Sequence, residues 1–103
     1  MKINKPLTKL QKISEASFYN AIASIKSLEE AKGFFQDLCT PAELQAMVDR
    51  WLVVDLLHQD KSYRTINEIT GVSVTTIGRV ARSLSLGEGG YEKIYQRCKR
   101  KKS

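Results

Sequence analysis

SYRTINEITGVSVTTIGRVARSL, residues 62–84, holds most of the architectural information in this chain. Ser62 and Ser73 each stand where the side chain of a helix N-cap belongs, because a hydroxyl there can accept an otherwise orphaned backbone N–H. Gly71 lies between them and supplies the positive φ that a tight turn after a helix demands. The spacing predicts one short helix from Ser62 to about Thr70 and a second from Val74 to about Ser85. At about 100° per residue, Ile77, Val80, Ala81 and Leu84 fall on one side of the second helix, and Thr75, Arg79 and Arg82 fall on the other. Ile66, Ile69 and Val72 are expected to point inward from the first helix and the turn. Two short helices in this relation, one wall apolar and the opposite face cationic, make a helix-turn-helix, whose second helix enters the major groove of duplex DNA.

Working outward, the chain is helical on both sides. Upstream, Thr40-Pro41-Ala42-Glu43 combines a capping threonine, a proline at the first helical position and a glutamate at the third. The helix it starts runs to about His58. Its apolar residues Leu44, Met47, Val48, Trp51, Leu52, Val54, Leu56 and Leu57 cover more than one face, so this helix is expected to be central and to reach a subunit interface. Ser27, with Glu30 three residues on, predicts a capping box and a helix through Leu28, Ala31, Phe34, Phe35 and Leu38. Residues 14–25 place Phe18, Ile22 and Ile25 at helical spacing. Downstream, Leu86 to Gly90 reads as a loop, and Tyr91 to Arg100 as a last helix with Tyr91, Ile94, Tyr95 and Cys98 inward. No run of strict apolar–polar alternation is long enough for a strand. The fold class is therefore all-α, with six helices. Residues 1–13 are expected to form a basic, flexible N-terminal arm, 14–98 a single helical domain, and 99–103 a basic tail.

Charge placement names the partner. The chain has 17 Lys and Arg against 11 Asp and Glu, net +6. Residues 1–60 are nearly neutral, so the excess lies in the second half, around and beyond the helix-turn-helix. A one-sided basic surface suits a polyanion. Lys61, Arg64, Thr75, Gly78, Arg79 and Arg82 are the candidate DNA-binding residues. Arginine can bond guanine bidentately or clamp a phosphate, and each of these residues has a bland reading as a solvated helix side chain. Gly78 interrupts a helix at a cost of roughly 1 kcal/mol against alanine. Close approach to DNA and a crowded helix crossing explain it equally well.

Other chemistries lack their residues. The single histidine, His58, has no Asp/Glu pair, nucleophile triad, phosphate loop or metal-ligand cluster around it. No enzyme, catalytic residue or metal site is expected, and His58 reads as a helix-end surface residue. Cys39 and Cys98 are far apart and lack CxxC partners, so reduced thiols are expected. No run approaches the ~18 apolar residues of a membrane span, and the basic start lacks a secretory signal, so a cytoplasmic protein is expected.

At this point the residues Leu38-Cys39-Thr40-Pro41-Ala42-Glu43, Arg50, Ser62-Tyr63-Arg64, Gly71, Thr76-Ile77-Gly78-Arg79 and Ser83-Leu84 form a recognisable set. Leu38 to Leu84 resembles the Trp repressor family, most of all its Trp-repressor-like branch, and the similarity can be followed loosely from residue 14 to 97. The resemblance implies a six-helix subunit in an intertwined homodimer that represses transcription. It also implies L-tryptophan or another small molecule as a corepressor. Carried over, Arg50 and Arg79 would flank the indole, Ser83 would meet the amino group and Thr40 would line the site. Arg64 matches the family's base-contacting arginine. The chain departs from the pattern at Val80, where the repressor has glycine and where a side chain would crowd a ligand. Thr75 and Gly78 also replace the family's groove-facing residues. The loop before the helix-turn-helix is one residue shorter. The resemblance thus points to a sequence-specific regulator of duplex DNA gated by a small ligand such as L-tryptophan, while the departures, Val80 first, point to one in which no corepressor is required. Against it stand a protein-interaction module that has kept the helix-turn-helix shape without specific DNA binding, and an RNA-binding reading. Phe18, Phe34, Phe35, Trp51, Tyr91 and Tyr95 fit apolar stripes better than the stacking platforms RNA binding would need, and Tyr19 and Tyr63 are left as candidates for exposure.

Overall fold

A computed structural model describes residues 8–102, with side chains through Arg100. Among the described residues there are six helices and no strands: α1 Lys9–Ala23, α2 Leu28–Leu38, α3 Pro41–His58, α4 Tyr63–Thr70, α5 Val74–Leu86 and α6 Gly90–Lys102. They fall into two compact units, α1 with α2 and α3 to α6, divided between Leu38 and Cys39.

In the first unit α1 begins five residues earlier than the apolar spacing suggests. Thr8 Oγ1 accepts the Gln11 N–H at 3.1 Å, and Gln11 Oε1 accepts the Thr8 N–H at 2.7 Å. This reciprocal capping box closes two orphan donors at once. The arm expected over 1–13 is therefore helical from Lys9; its remainder, 1–7, lies outside the described residues. The helix ends at Ala23, leaving Ile25 in the linker. Ser27 caps α2 through the Glu30 N–H at 3.1 Å, as expected, but the Glu30 carboxylate reaches the N–H of Lys26 instead of Ser27. Phe18 and Phe34 approach at 6.5 Å between ring centroids, and Phe34 meets Phe35 edge-on. Neither helix contains a buried residue.

The second unit holds the core. Val53, Val54 and Leu56 of α3 pack with Ile66 of α4, Val72 of the turn, Ile77 and Val80 of α5, and Tyr95 of α6. Leu57, Leu84 and Tyr91 close its edges. The Thr40 box is present in full, with Thr40 Oγ1 accepting from Glu43 N–H and Glu43 Oε1 from Thr40 N–H. At its other end α3 stops in a Schellman motif. The Asp60 N–H donates to Leu57 O at 3.0 Å and the Lys61 N–H to Leu56 O at 3.2 Å. Its left-handed residue is Asp60, at φ 61°, where glycine is usual.

Several inward assignments are corrected. Ile69 is 59% exposed: in so short a helix the core-facing line is Ile66 and Thr70, and Thr70 Oγ1 turns back to the Ile66 carbonyl at 2.7 Å. Ile94 and Cys98 are exposed, because α6 docks through Tyr91 and Tyr95. Val53, absent from the expected core, is fully buried, whereas Met47, Val48, Trp51 and Leu52 are exposed.

His58 is not a plain surface residue either. Its ring stacks on Tyr95 at 4.1 Å and 10°, and its Nε2 lies 2.8 Å from Glu92 Oε1. That approach is an ion-pair distance but misses the direction of a ring hydrogen bond. Tyr95 donates its hydroxyl to Asp55 Oδ1 at 2.7 Å. The Asp55 carboxylate, through this bond first and burial second, raises Tyr95 above the ordinary tyrosine range. These contacts fasten α6 to α3. Helix α6 continues to Lys102, so the basic tail expected at 99–103 is helical for its described part.

Candidate nucleic-acid interface

Ser62 Oγ accepts the Thr65 N–H and Ser73 Oγ accepts the Thr76 N–H, each at 3.1 Å, which starts α4 and α5 where the sequence places them. Between them Gly71, at φ 77°, ends α4 with its N–H on Asn67 O at 2.8 Å. Side chains then lock the turn. Asn67 Nδ2 donates to Val72 O at 2.9 Å, and the Val72 N–H donates to Thr70 Oγ1 at 3.0 Å. The far end of α5 is also fixed. Gly87 donates its N–H to Ser83 O at 2.9 Å, and a Cβ on Gly87 would lie 2.5 Å from that carbonyl oxygen.

With both ends set, α5 presents two unlike faces. Ile77 and Val80 are buried against α3 and α4, with Leu84 partly buried beside them. Thr75, Arg79 and Arg82 are exposed on the opposite side. Neither arginine has an ion-pair partner among the described residues, whose salt bridges involve other groups. Lys61, exposed, immediately precedes the cap of α4. Arg64 is exposed on the first turn of α4 and meets Glu68 at 3.4 Å, one helical turn on. An exposed pair of this kind is worth roughly 0.3–0.5 kcal/mol, so it holds the Arg64 guanidinium only weakly.

Gly78 is half-buried at the edge of the outer face. The nearest atom to a Cβ built there is Tyr63 Cε2, at 3.9 Å, an ordinary van der Waals distance. Packing inside the chain therefore does not demand glycine, and the crowded-crossing explanation loses its basis. The same contact shows what sequence reasoning missed. Tyr63, 41% exposed, lies beside α5 at Gly78. The sequence signal was an aromatic at the first position of a helix, where neither capping nor the core requires one; its approach to Gly78 was not legible.

The residues carried over for a corepressor are placed differently. Thr40 uses its hydroxyl for the α3 cap. Arg50, half-buried, stands ten residues further along the same helix, about 15 Å at 1.5 Å per residue. Ser83 opens on a cleft of about 310 Å³ with Gly87, Glu88, Gly90 and Tyr91, which neither Arg50 nor Arg79 lines. Val80 is 1% exposed and fills the core, so it occupies the space that a glycine would leave. Among the described residues no group of three His, Cys, Asp or Glu could hold a metal, both cysteines are free, and no helix is long and apolar enough to cross a membrane.

Comparison with known proteins agrees with this architecture. The family model for the Trp repressor protein matches residues 14–99. A Bacillus subtilis protein described as uncharacterized protein YerC is 42% identical over 81 residues, covering 79% of this chain and 78% of that one. The crystal structure of a TrpR-like protein from Eubacterium eligens superposes with a TM-score of 0.80 at 39% identity, over 87% of this chain and 93% of that one. The crystal structure of a Staphylococcus aureus protein described as a putative Trp repressor superposes at 0.79 and 33% identity, over 90% of this chain and 96% of that one. Sequence, fold and helix-turn-helix geometry thus lead to one assignment: the chain belongs to the Trp repressor family.

Proposed function

We propose that this chain is a sequence-specific regulator of transcription, a repressor, that binds duplex DNA as a homodimer in the cytoplasm, has no enzymatic activity and requires no corepressor. The observation that carries the DNA-binding reading is α5 itself. Its inner face is buried and its ends are fixed, while its outer face shows Thr75, Arg79 and Arg82 with no acidic partner for either arginine. A helix held this way presents hydrogen-bond donors to base edges and phosphates without rearrangement. An interaction module without DNA binding would have no need of such a cationic face.

The homodimer reading is supported by α3. Val48, Trp51 and Leu52 are exposed and line, with Tyr95, Cys98 and the polar Asp55, Gln59 and Lys99, a groove of about 580 Å³. Exposed apolar side chains rimmed by polar ones in this way mark a protein contact. Independence from a corepressor is supported by Val80, whose side chain is already spent on the core.

The test is selection of a random duplex DNA library at near-physiological salt, with and without L-tryptophan. A two-fold symmetric consensus recovered equally in both arms is expected. Arg79→Ala should weaken binding and flatten its salt dependence by about one counterion. Absence of any enriched sequence refutes the regulator reading and favours the interaction module. A consensus that appears only with L-tryptophan refutes independence from the corepressor. Sedimentation equilibrium showing a monomer at micromolar concentration refutes the dimer.

A further inference from the structure

Tyr63 takes part in neither the core nor the caps, and it stands among residues that have been assigned to DNA. It is the first residue of α4, directly before Arg64. Its ring lies against α5 at Gly78, with Cε2 3.9 Å from the position a Cβ would take there. Thr75 precedes Gly78 by three residues and Arg82 follows it by four, so both share its side of α5. The ring thus joins α4 to the outer face of α5, fifteen residues away in sequence. Tyr63 is 41% exposed, and among the described residues its hydroxyl has no hydrogen-bond partner.

A tyrosine ring has only two side-chain torsions to order on binding. A free phenolic hydroxyl is a neutral donor, and tyrosine is among the side chains that bond DNA phosphate oxygens. We propose that Tyr63 is a DNA-anchoring residue, its ring seated on α5 at Gly78 and its hydroxyl donating to a phosphate oxygen of the duplex that α5 enters. The inference rests on the DNA-binding reading of α5 and adds an uncharged contact to it. Arg64, Arg79 and Arg82 supply charge; Tyr63 supplies register without charge. The competing reading is that the ring merely covers the α5 backbone and the hydroxyl is solvated.

The decisive variant is Tyr63→Phe, which keeps the ring and removes the donor. It is measured by fluorescence anisotropy on the selected duplex and on mismatched duplexes, across a salt series. The expected result is an affinity loss of about 5- to 20-fold. That loss should be the same for every sequence, with an unchanged salt slope, because a hydroxyl displaces no counterion. Thermal unfolding of the variant should match the parent, since the ring contact is kept. A scan of methylphosphonate substitutions then locates the phosphate. One position per half-site should weaken the parent protein and leave Tyr63→Phe without further loss. Parent-like affinity in Tyr63→Phe overturns the proposal while leaving the DNA-binding reading intact. A changed base preference also overturns it, because it places Tyr63 on a base. Failure of the parent protein itself to select DNA removes both readings.

Discussion

Replacing Gly78 with alanine should move stability and DNA binding in opposite directions. In a helix interior alanine is favoured over glycine by about 0.8–1.0 kcal/mol, through reduced backbone entropy in the unfolded chain. Nothing in the fold cancels that gain. The added methyl would meet only Tyr63 Cε2, at 3.9 Å, and no backbone atom. The expected net effect is therefore stabilisation of about 0.5–1 kcal/mol, or a rise in Tm of roughly 2–8 °C for a domain near this size. Gly78 borders the outer face of α5, and the methyl would stand where the helix approaches DNA. We expect at least about a 10-fold loss of affinity, equivalent to about 1.4 kcal/mol. Both quantities are measurable on one preparation, by circular dichroism melts at fixed protein concentration and by anisotropy with the selected duplex. Fixed concentration matters because association shifts Tm by mass action. A lower Tm would refute the packing argument, since it would mean that the helix crossing needs the glycine. A higher Tm with unchanged DNA affinity would refute the placement of Gly78 at the DNA surface.

The other predictions concern the joints. Asp60→Gly relieves a left-handed conformation at φ 61° and should stabilise by about 0.5–1 kcal/mol; a lower urea midpoint for the variant would contradict this. Gly87→Ala places a Cβ 2.5 Å from the Ser83 carbonyl oxygen and should cost roughly 1–3 kcal/mol, read as a fall in the same midpoint. For Tyr95, the Asp55 hydrogen bond raises the folded-state pKa, so its stabilisation is whole below the unfolded value of about 10 and is lost as pH rises through the folded value. The parent should therefore lose Tm between neutral pH and strong alkali faster than Tyr95→Phe, and parallel curves would refute the link.

What could be read from the chain follows how local each signal is. The caps at Thr40, Ser62 and Ser73 stand as expected because N-capping is settled within four residues. The two faces of α5 were legible for a similar reason: a single helical period separates Ile77 and Val80 from Thr75, Arg79 and Arg82. The start of α1 was also written locally, in Thr8 and Gln11, but the apolar spacing begins later and drew the boundary with it. On α3 locality fails. Trp51, Leu52, Val53 and Val54 are all apolar, and only the positions of α4 and α5 determine that the valines are buried. The bond from Tyr95 to Asp55 spans forty residues, and the contact of Tyr63 with Gly78 spans fifteen. Neither residue of either pair carries a mark of the other in the sequence.

The stitched turn between α4 and α5 has a mechanical meaning. Asn67 and Thr70 hold Val72 by its carbonyl and its amide, so the two helices form a bracket instead of a hinge. Arg64 at one end and Arg79 on the other arm are then carried at a set span. A bracket scanning a duplex accepts or rejects a site as a gauge does, by whether the groups along the groove match its span. On the DNA-binding reading proposed above, such a bracket would give little to meet a poor match, and the adjustment would fall on the bending and groove width of the DNA, which vary with sequence. Discrimination by such a gauge extends to base pairs that no side chain touches.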